Sequence, residues 1–163
     1  MTETNGPTGA DDYYFFWGGR CSQWFKSKFV IDEIEYNCAE QYMMAQKALL
    51  FNDLKSYKAI INSDDPKTQK AIGRRVANFD EHIWDEHKYQ IVLIANVAKF
   101  SQNEDLKKFL VSLNGKIIVE ASPYDTIWGI GLGQDDPRRF DETKWRGLNL
   151  LGKVLMETRD ILS

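Results

Sequence analysis

The pattern of apolar and polar positions divides the chain into short strand-like segments and longer helix-like segments. Aromatic residues at 13–17 predict a strand, residues 29–31 and 34–36 predict a hairpin, and residues 117–119 predict a short buried strand. Apolar residues at helical spacing predict helices over about 37–51, 52–61, 66–74, 84–100, 103–115 and 148–162. We therefore expect an α+β fold, a single mainly helical domain with a small β-sheet.

The domain boundaries follow from composition. Residues 1–11 are rich in Thr, Gly, Asn and Pro, which predicts a disordered N-terminal tail. Residues 12–163 show no repeat and no linker, so we expect one domain. A chain of 163 residues can bury about two-thirds of its unfolded surface, which is enough for a stable core.

Charge and residue usage exclude several classes of function. The net charge of −3 argues against DNA or membrane binding through a general basic field. Two Cys and two His without metal-binding spacing predict no metal site. The polar N-terminus and the lack of a long apolar run predict a cytoplasmic protein with reduced thiols and no membrane partner.

The first predicted helix carries candidate chemistry. Asn37 is a good N-cap, and Glu40 three residues later completes a capping-box pattern. Glu40 and Lys47 lie seven residues apart and so share one helical face, from which a carboxylate and an amine can point into one cleft. The alternative is that Glu40 only caps the helix and Lys47 is a solvated charge.

The segment after the last predicted strand is a second candidate. It contains Asp125, Trp128 and glycines at alternate positions, among them Gly129 and Gly131. Such glycines let the backbone approach a ligand closely and can expose N–H groups to an anion. The alternatives are ordinary turn chemistry, with Asp125 capping a turn and Trp128 covering the core.

Taken together, these motifs resemble one known family over about residues 14–162. The resemblance is carried by residues 37–44 with 47–48, Gly73-Arg74, Trp84, residues 120–125, residues 127–132, and residues 145–156 with Asn149 among them. In this combination and order they resemble the NADAR family, named for NAD and ADP-ribose association. Residues 22–25 are also similar to the first loop of the family, whereas Cys21 stands where many members carry Phe.

The resemblance implies an enzyme that cleaves the bond between a ribosyl C1 atom and a nitrogen, without a metal or cofactor. Two substrate classes are associated with the family: phosphoribosylated aminopyrimidines of riboflavin biosynthesis, and ADP-ribose attached to guanine in DNA or RNA. The sequence leaves this choice open, together with the oligomeric state. The net acidity mildly favours a small molecule, although a local basic patch could accept a strand. Its residues would be Lys67, Lys70, Arg74, Arg75, Arg138 and Arg139.

Glu40 and Asp125 are the expected catalytic carboxylates, because cleavage builds positive charge on the ribose and requires proton transfer. Lys47 is the expected amine, which can form an imine with a ring-opened sugar; direct attack by water is the alternative. We expect these groups to meet in one site with the start of the last helix. The expected substrate-binding residues are Ser22, Gln23, Arg74, Trp84, Glu120, Trp128, Gly129, Gly131 and Asn149.

Two of these residues have simpler interpretations, since Arg74 could be a surface cation and Asn149 a helix N-cap. Two other functions also stay open. A binding module would recognise ADP-ribose or a nucleotide without turning it over, and a structural domain would only bind a partner. The combination of Glu40, Lys47 and Asp125 favours catalysis, because a protein that only binds phosphate gains little from two acids.

Overall fold

The computed structural model describes residues 9–163, which form six α-helices and four β-strands with short 3₁₀ turns between them. Residues 1–8 of the predicted tail lie outside the described residues, and Ala10–Asp12 form a 3₁₀ turn. The strands are β1 (Tyr13–Phe16), β2 (Phe29–Ile31), β3 (Ile34–Tyr36) and β4 (Ile117–Glu120). The helices are α1 (Ala39–Leu50), α2 (Leu54–Ile61), α3 (Pro66–Gly73), α4 (Glu81–Ser101), α5 (Glu104–Ser112) and α6 (Leu150–Leu162).

These elements group into two compact units. Unit 1 comprises the described residues up to Ser22 together with Lys108–Ser163, and unit 2 is Gln23–Lys107. The α+β class with mainly helical content is confirmed. The strands form two separate pairs, however, one in each unit, where the sequence predicts one small sheet.

The two strand pairs differ in direction. In unit 1, β1 and β4 run parallel with Tyr13 opposite Ile117 and Phe16 opposite Glu120. In unit 2, β2 and β3 form the predicted antiparallel hairpin. Its two turn residues, Asp32 and Glu33, both have positive φ, as the tight turns that match strand twist require.

Each unit has an apolar interior. Tyr13, Val119, Ile130 and Leu132 form a buried cluster in unit 1, on which Trp145 packs. In unit 2, the helices α2, α3 and α4 all contact α1. At Gly73, α3 lies close to α1, and a Cβ at this position would collide with the side chain of Met44 unless that side chain moved. No helix within residues 9–163 has the length and apolar character to cross a membrane.

The start of α1 differs from the prediction. The helix begins after Cys38, which occupies the N-cap position without a side-chain capping bond. Asn37 is therefore not the N-cap, and Glu40 does not complete a capping box. The side chain that reaches back is that of Gln41, whose Oε1 accepts the backbone N–H of Asn37 at 2.8 Å.

A side-chain network within unit 2 explains this difference. The Asn37 amide donates to the carbonyl of Ser63 at 3.1 Å and accepts a hydrogen bond from the Gln69 amide at 3.1 Å. Gln41 Nε2 donates toward the carbonyls of Ile60, Ile61 and Ser63. These polar groups satisfy the carbonyls at and after the end of α2. The side chain of Asn37 therefore links distant segments of unit 2 and does not cap α1.

Two other helix starts are also displaced from their predicted positions. The helix α2, predicted to start at about residue 52, begins at Leu54, and Asp53 caps it through its carboxylate, which accepts the N–H of Ser56. The long helix α4 begins at Glu81, three residues before Trp84, because Asp80 accepts the first free N–H groups. Residues 81–83 are therefore helical, although the predicted helix begins only at about residue 84.

Candidate active site

Glu40 lies in the first turn of α1 in unit 2. Its side chain is buried, with 4% of the residue exposed, and its backbone N–H donates to the carbonyl of Gln23 at 3.0 Å. Gln23 is itself buried, and its Oε1 accepts the Asn96 amide of α4 at 3.0 Å. The loop that follows Ser22 is therefore tied to both α1 and α4, and it presents Gln23 directly beside Glu40.

Lys47 lies two turns further along the same helix face. Its ammonium is 4.6 Å from the ring centroid of Phe79 and 5.6 Å from that of Trp84, so it faces two aromatic rings. Burial lowers the pKa of the Lys47 amine; the Glu40 charge acts in the opposite direction, and the Arg74 charge lowers the pKa further. A lowered pKa increases the neutral fraction of an amine at a given pH, and the neutral amine is the form that acts as a nucleophile.

Trp84 and Phe79 form the aromatic side of this group. Trp84 is buried in the first turn of α4, whereas Phe79 is 45% exposed and packs edge-on against Phe51 at 5.4 Å. Phe79 is absent from the predicted site. Its sequence signal is weak, because a lone aromatic in a polar segment before a helix is more typical of an ordinary core contact.

Arg74 is the C-cap residue of α3 and is exposed. Since Gly73 brings α3 close to α1, the guanidinium of Arg74 lies near enough to act on the pKa of Lys47. The structure thus groups five predicted site residues in unit 2. They are Gln23, Glu40, Lys47, Arg74 and Trp84.

In unit 1, the predicted residues lie around the end of β4. Glu120 closes this strand, its N–H donates to Asn149 Oδ1 at 3.0 Å, and its carbonyl accepts the N–H of Ile130. The amide of Asn149 also donates to the carbonyl of Ile118 at 3.0 Å. Asn149 precedes α6 in a left-handed conformation, with φ of 53°, which Asn tolerates better than most residues.

Asn149 is the N-cap residue of α6, as its simpler interpretation expects, but its side chain makes no capping bond. Both polar atoms of the amide instead hold the backbone of β4. A direct contact between Asn149 and a substrate stays a prediction. The observed hydrogen bonds show that its side chain holds the backbone of β4 next to the start of α6.

Asp125 organises the loop after β4. Its Oδ1 accepts the N–H groups of Ile127 and Trp128 at 2.9 and 2.8 Å, so it caps the turn. Its own N–H donates to Ser122 Oγ at 3.1 Å, and its carbonyl accepts the N–H of Gly131. Within the part of the chain that the structure describes, Asp125 Oδ2 has no hydrogen-bond partner, so one oxygen holds the turn and the other is available.

The glycines of this loop have steric reasons to be glycine. A Cβ on Gly129 would lie 3.0 Å from the carbonyl oxygens of both Asp125 and Glu120. Gly131 has φ of +71°, and its Cβ would lie 2.9 Å from that of Arg146. Close packing within unit 1 therefore suffices to explain both glycines, and their predicted role over a substrate stays a prediction.

Trp128 and Ser22 complete the predicted residues of unit 1. Trp128 is half-buried, and its carbonyl accepts the N–H of Leu151 in the first turn of α6. Ser22 follows the 3₁₀ turn Gly19–Cys21, and its N–H donates to the carbonyl of Gly19 at 3.0 Å. Unit 1 thus holds Ser22, Glu120, Asp125, Trp128, Gly129, Gly131 and Asn149.

The fold and this set of residues define an α+β protein of the NADAR class. The family model, described as the NADAR domain, matches residues 14–163, and the chain belongs to this family. It is 48% identical over 163 residues to N-glycosidase R617 of Acanthamoeba polyphaga mimivirus, covering 92% of this chain and 96% of that protein.

Two further comparisons agree with this membership. N-glycosidase Npun_R5314 of Nostoc punctiforme is 30% identical over 130 residues, covering 80% of this chain and 76% of that protein. The NMR structure of the E. coli protein YbiA matches with a TM-score of 0.77 and 26% sequence identity, covering 95% of this chain and 87% of that one. These similarities confirm the predicted family and fold class.

Proposed function

We propose that this protein is an N-glycosidase that hydrolyses the bond between C1 of a ribosyl group and a nitrogen. Two relatives that cover most of this chain are named N-glycosidases, which supports the enzyme class. The observation that carries the proposal is the pairing on one face of α1 of a buried carboxylate, Glu40, with an amine whose pKa is lowered, Lys47.

In the hydrolytic reaction, the C1–N bond breaks, the oxygen of water bonds to C1, and a proton from water is transferred to the departing nitrogen. Positive charge develops on the ribose as the bond lengthens, and the Glu40 carboxylate stabilises it. Asp125 is proposed as the second acid, which transfers the proton through its available oxygen.

The amine of Lys47 offers a covalent route to the same products. Lys47 Nζ adds to C1 of the ring-opened sugar, the nitrogen base departs with a proton, and the resulting imine is hydrolysed by water to restore the amine. Borohydride reduces such an imine to a stable secondary amine. A sugar-sized mass increase on Lys47 after turnover with borohydride would support this route, and an unmodified Lys47 would favour direct attack by water.

The substrate carries a ribose, a phosphate and a flat heterocycle under either class suggested by the family. Arg74 is the proposed phosphate ligand, since a guanidinium matches phosphate oxygens in pairs. Trp84 supplies an aromatic surface for the heterocycle or ribose. The proposed substrates are a phosphoribosylated aminopyrimidine or ADP-ribose attached to guanine.

The test is to incubate the purified protein with each substrate and to measure released base and sugar by mass spectrometry. We expect both products from at least one substrate, and a strong loss of release in Glu40→Gln. The matched control is Glu35→Gln, since Glu35 lies exposed on β3. Saturable binding without release of base from either substrate would contradict catalysis and indicate a binding module.

A further inference from the structure

Two short helices of unit 2, α2 and α3, each begin with an aspartate that caps the first turn. Asp53 caps α2 by accepting the N–H of Ser56 at 3.0 Å and its hydroxyl at 2.6 Å. Asp65 caps α3 by accepting the N–H of Lys67 at 3.3 Å and the hydroxyl of Thr68 at 2.7 Å. Such bonds satisfy N–H groups that have no partner within their helix, and both helices are stabilised by them.

Asp53 makes one further hydrogen bond that capping does not explain. Its Oδ2 also accepts the backbone N–H of Ala77 at 2.9 Å, which lies 24 residues further along the chain. This bond is the largest cause that lowers the pKa of the Asp53 carboxyl, whereas for Asp65 the largest cause is the hydroxyl of Thr68. Within residues 9–163, the Asp65 carboxylate accepts hydrogen bonds from its own helix alone. The two caps therefore differ by a single tertiary contact.

The contact from Asp53 fixes the segment that connects α3 to α4. Residues 74–80 form turns without regular secondary structure. The N–H groups of residues 74–76 bond to carbonyls of α3, and the next N–H, that of Ala77, is the one held by Asp53. The side chain of Val76 is buried. The segment is therefore anchored at two successive residues shortly before it reaches Phe79.

Phe79 is the residue that this segment brings to the candidate site. The ammonium of Lys47 lies 4.6 Å from the centroid of its ring, and the ring packs edge-on against Phe51 at 5.4 Å. Trp84 contacts the same ammonium at 5.6 Å from the other helix of the site. Aromatic rings attract a cation over their faces, and a lysine held between two of them loses the freedom of its long side chain.

The partial exposure of Phe79 distinguishes it from the other two rings. Phe51 is 6% exposed and Trp84 is 9% exposed, so both belong to the interior of unit 2. Phe79 is 45% exposed, so burial of apolar area explains its position only in part. Its contact with Lys47 and the hydrogen bond that holds its segment explain the rest.

We propose that Phe79 is a positioning residue for the Lys47 amine, and that Asp53 is a second positioning residue, which acts on the amine through Ala77 and the ring of Phe79. The proposal rests on the proposed function in one respect: the reaction for which the amine is positioned is cleavage of the ribosyl bond. The carboxylate of Asp53 bonds to its own helix and to the segment, so its effect on the amine depends on the ring that the segment carries.

The test measures the pKa of the Lys47 amine by NMR titration of its side chain in the intact protein. This measurement needs no substrate, so its outcome is separate from that of the glycosidase proposal. Asp53→Asn keeps an oxygen for the N–H of Ser56 but places an amide donor against the N–H of Ala77. We expect the pKa of Lys47 to rise toward its ordinary value, because burial is the largest cause of the lowered pKa and the displaced ring no longer covers the amine.

Two comparisons separate this effect from others. Asp65→Asn makes the same change at the cap of α3, where no tertiary contact is lost, and it should leave the pKa of Lys47 unchanged. Phe79→Ala should raise this pKa, and Asp53→Asn added to Phe79→Ala should then change it no further. Removing a negative charge would by itself lower the pKa of a nearby amine, so a rise in Asp53→Asn reports the displaced ring and not the lost charge.

Activity provides the second measurement. In the release of base, Asp53→Asn and Phe79→Ala should each lower the turnover number by about tenfold or more, because the amine is misplaced, whereas Asp65→Asn should keep it near normal. An unchanged pKa of Lys47 in Asp53→Asn would overturn the proposal, as would an equal rise in Asp65→Asn or a normal turnover number in Phe79→Ala. If the unaltered protein releases no base, the glycosidase proposal fails and the titration alone decides whether Asp53 and Phe79 position the amine.

Discussion

The face of α1 in unit 2 and the β4–α6 loop in unit 1 use polar side chains in opposite ways. On α1, burial lowers the pKa of Lys47, so folding opposes its charged form. In the loop, Asp125 and Asn149 hold backbone N–H and carbonyl groups, as capping residues and turn residues do. The burial of Lys47 on α1 lowers the stability of the fold, which a catalytic role would explain. The hydrogen bonds of the loop stabilise the fold directly.

This contrast has a measurable consequence. If the α1 face is arranged for catalysis, its substitutions should remove activity while leaving stability intact or improved. If the loop is arranged to hold its own backbone, its substitutions should lower stability first, and activity should follow. An α1 variant that loses stability before activity, or a loop variant that loses activity at unchanged stability, would contradict this distinction between the two regions.

The largest effect is expected for Glu40→Gln. It keeps the size of the side chain and removes the negative charge that stabilises the developing positive charge on the ribose. We expect the turnover number to fall by about 10²–10⁴-fold, with an unchanged circular dichroism spectrum. Steady-state kinetics of base release would measure it, with Glu35→Gln as the control. Turnover within threefold of the unaltered protein would remove Glu40 from the mechanism.

The next effect concerns stability in unit 1. Asn149→Gly keeps the left-handed backbone accessible but deletes both hydrogen bonds to β4, which leaves the N–H of Glu120 and the carbonyl of Ile118 without their partners. Each buried group left unsatisfied costs about 1–3 kcal/mol, so we expect the free energy of unfolding to fall by about 2–4 kcal/mol. Urea denaturation would measure this loss.

A matched control separates the hydrogen bonds from the backbone conformation. Asn52 also has positive φ, at 59°, but it is exposed, and its side-chain amide makes no hydrogen bond within residues 9–163. Asn52→Gly should therefore change stability by only a few tenths of a kcal/mol. Similar losses for the two variants would mean that the Asn149 amide does not stabilise β4.

The sequence predicts best what is encoded locally. The hairpin of β2 and β3 follows from two short apolar runs around Asp32 and Glu33, and α3 follows from Pro66 in the first turn after an acidic cap. Family resemblance supplies the candidate residues, because composition and spacing alone leave each of them with an ordinary structural interpretation.

The sequence fails where distant polar groups compete for the same residue. Asn37 has the features of an N-cap, but Ser63 and Gln69, 26 and 32 residues away, engage its side chain. The hydrogen bond from Asn149 to Ile118 spans 31 residues and has no local signal either. Helix starts such as that of α4 are missed because a polar first turn resembles a loop.

Two substitutions of Asp125 can distinguish its structural role in capping the turn from a catalytic role in proton transfer. Asp125→Asn retains a side-chain oxygen that can accept the N–H groups of Ile127 and Trp128, whereas Asp125→Ala removes it. We expect the Ala variant to lose about 1 kcal/mol of stability and the Asn variant to lose less. If Asp125 transfers protons, both variants should lose turnover equally; a normal rate in Asp125→Asn would limit the residue to capping the turn.

The smallest effect on stability is expected from Lys47→Met, and the sign of this stability change follows from the lowered pKa of Lys47. An unfolded lysine has a pKa of about 10.4, and the folded protein lowers it for Lys47, so the folded state binds this proton less tightly. Below the folded-state pKa, the amine is charged in both states, and the full penalty opposes folding. As pH rises through the folded value toward the unfolded one, both states lose the proton and the penalty disappears.

Methionine retains an apolar contact with the rings of Phe79 and Trp84 but carries no charge. We therefore expect the thermal midpoint of Lys47→Met to exceed that of the unaltered protein most clearly at neutral pH, and the difference to shrink as pH approaches 10. Scanning calorimetry at several pH values would measure the difference, with Lys55→Met as the exposed control. A difference that stays constant with pH would mean that Lys47 carries no burial penalty, and α1 would then resemble the β4–α6 loop in contributing only structure.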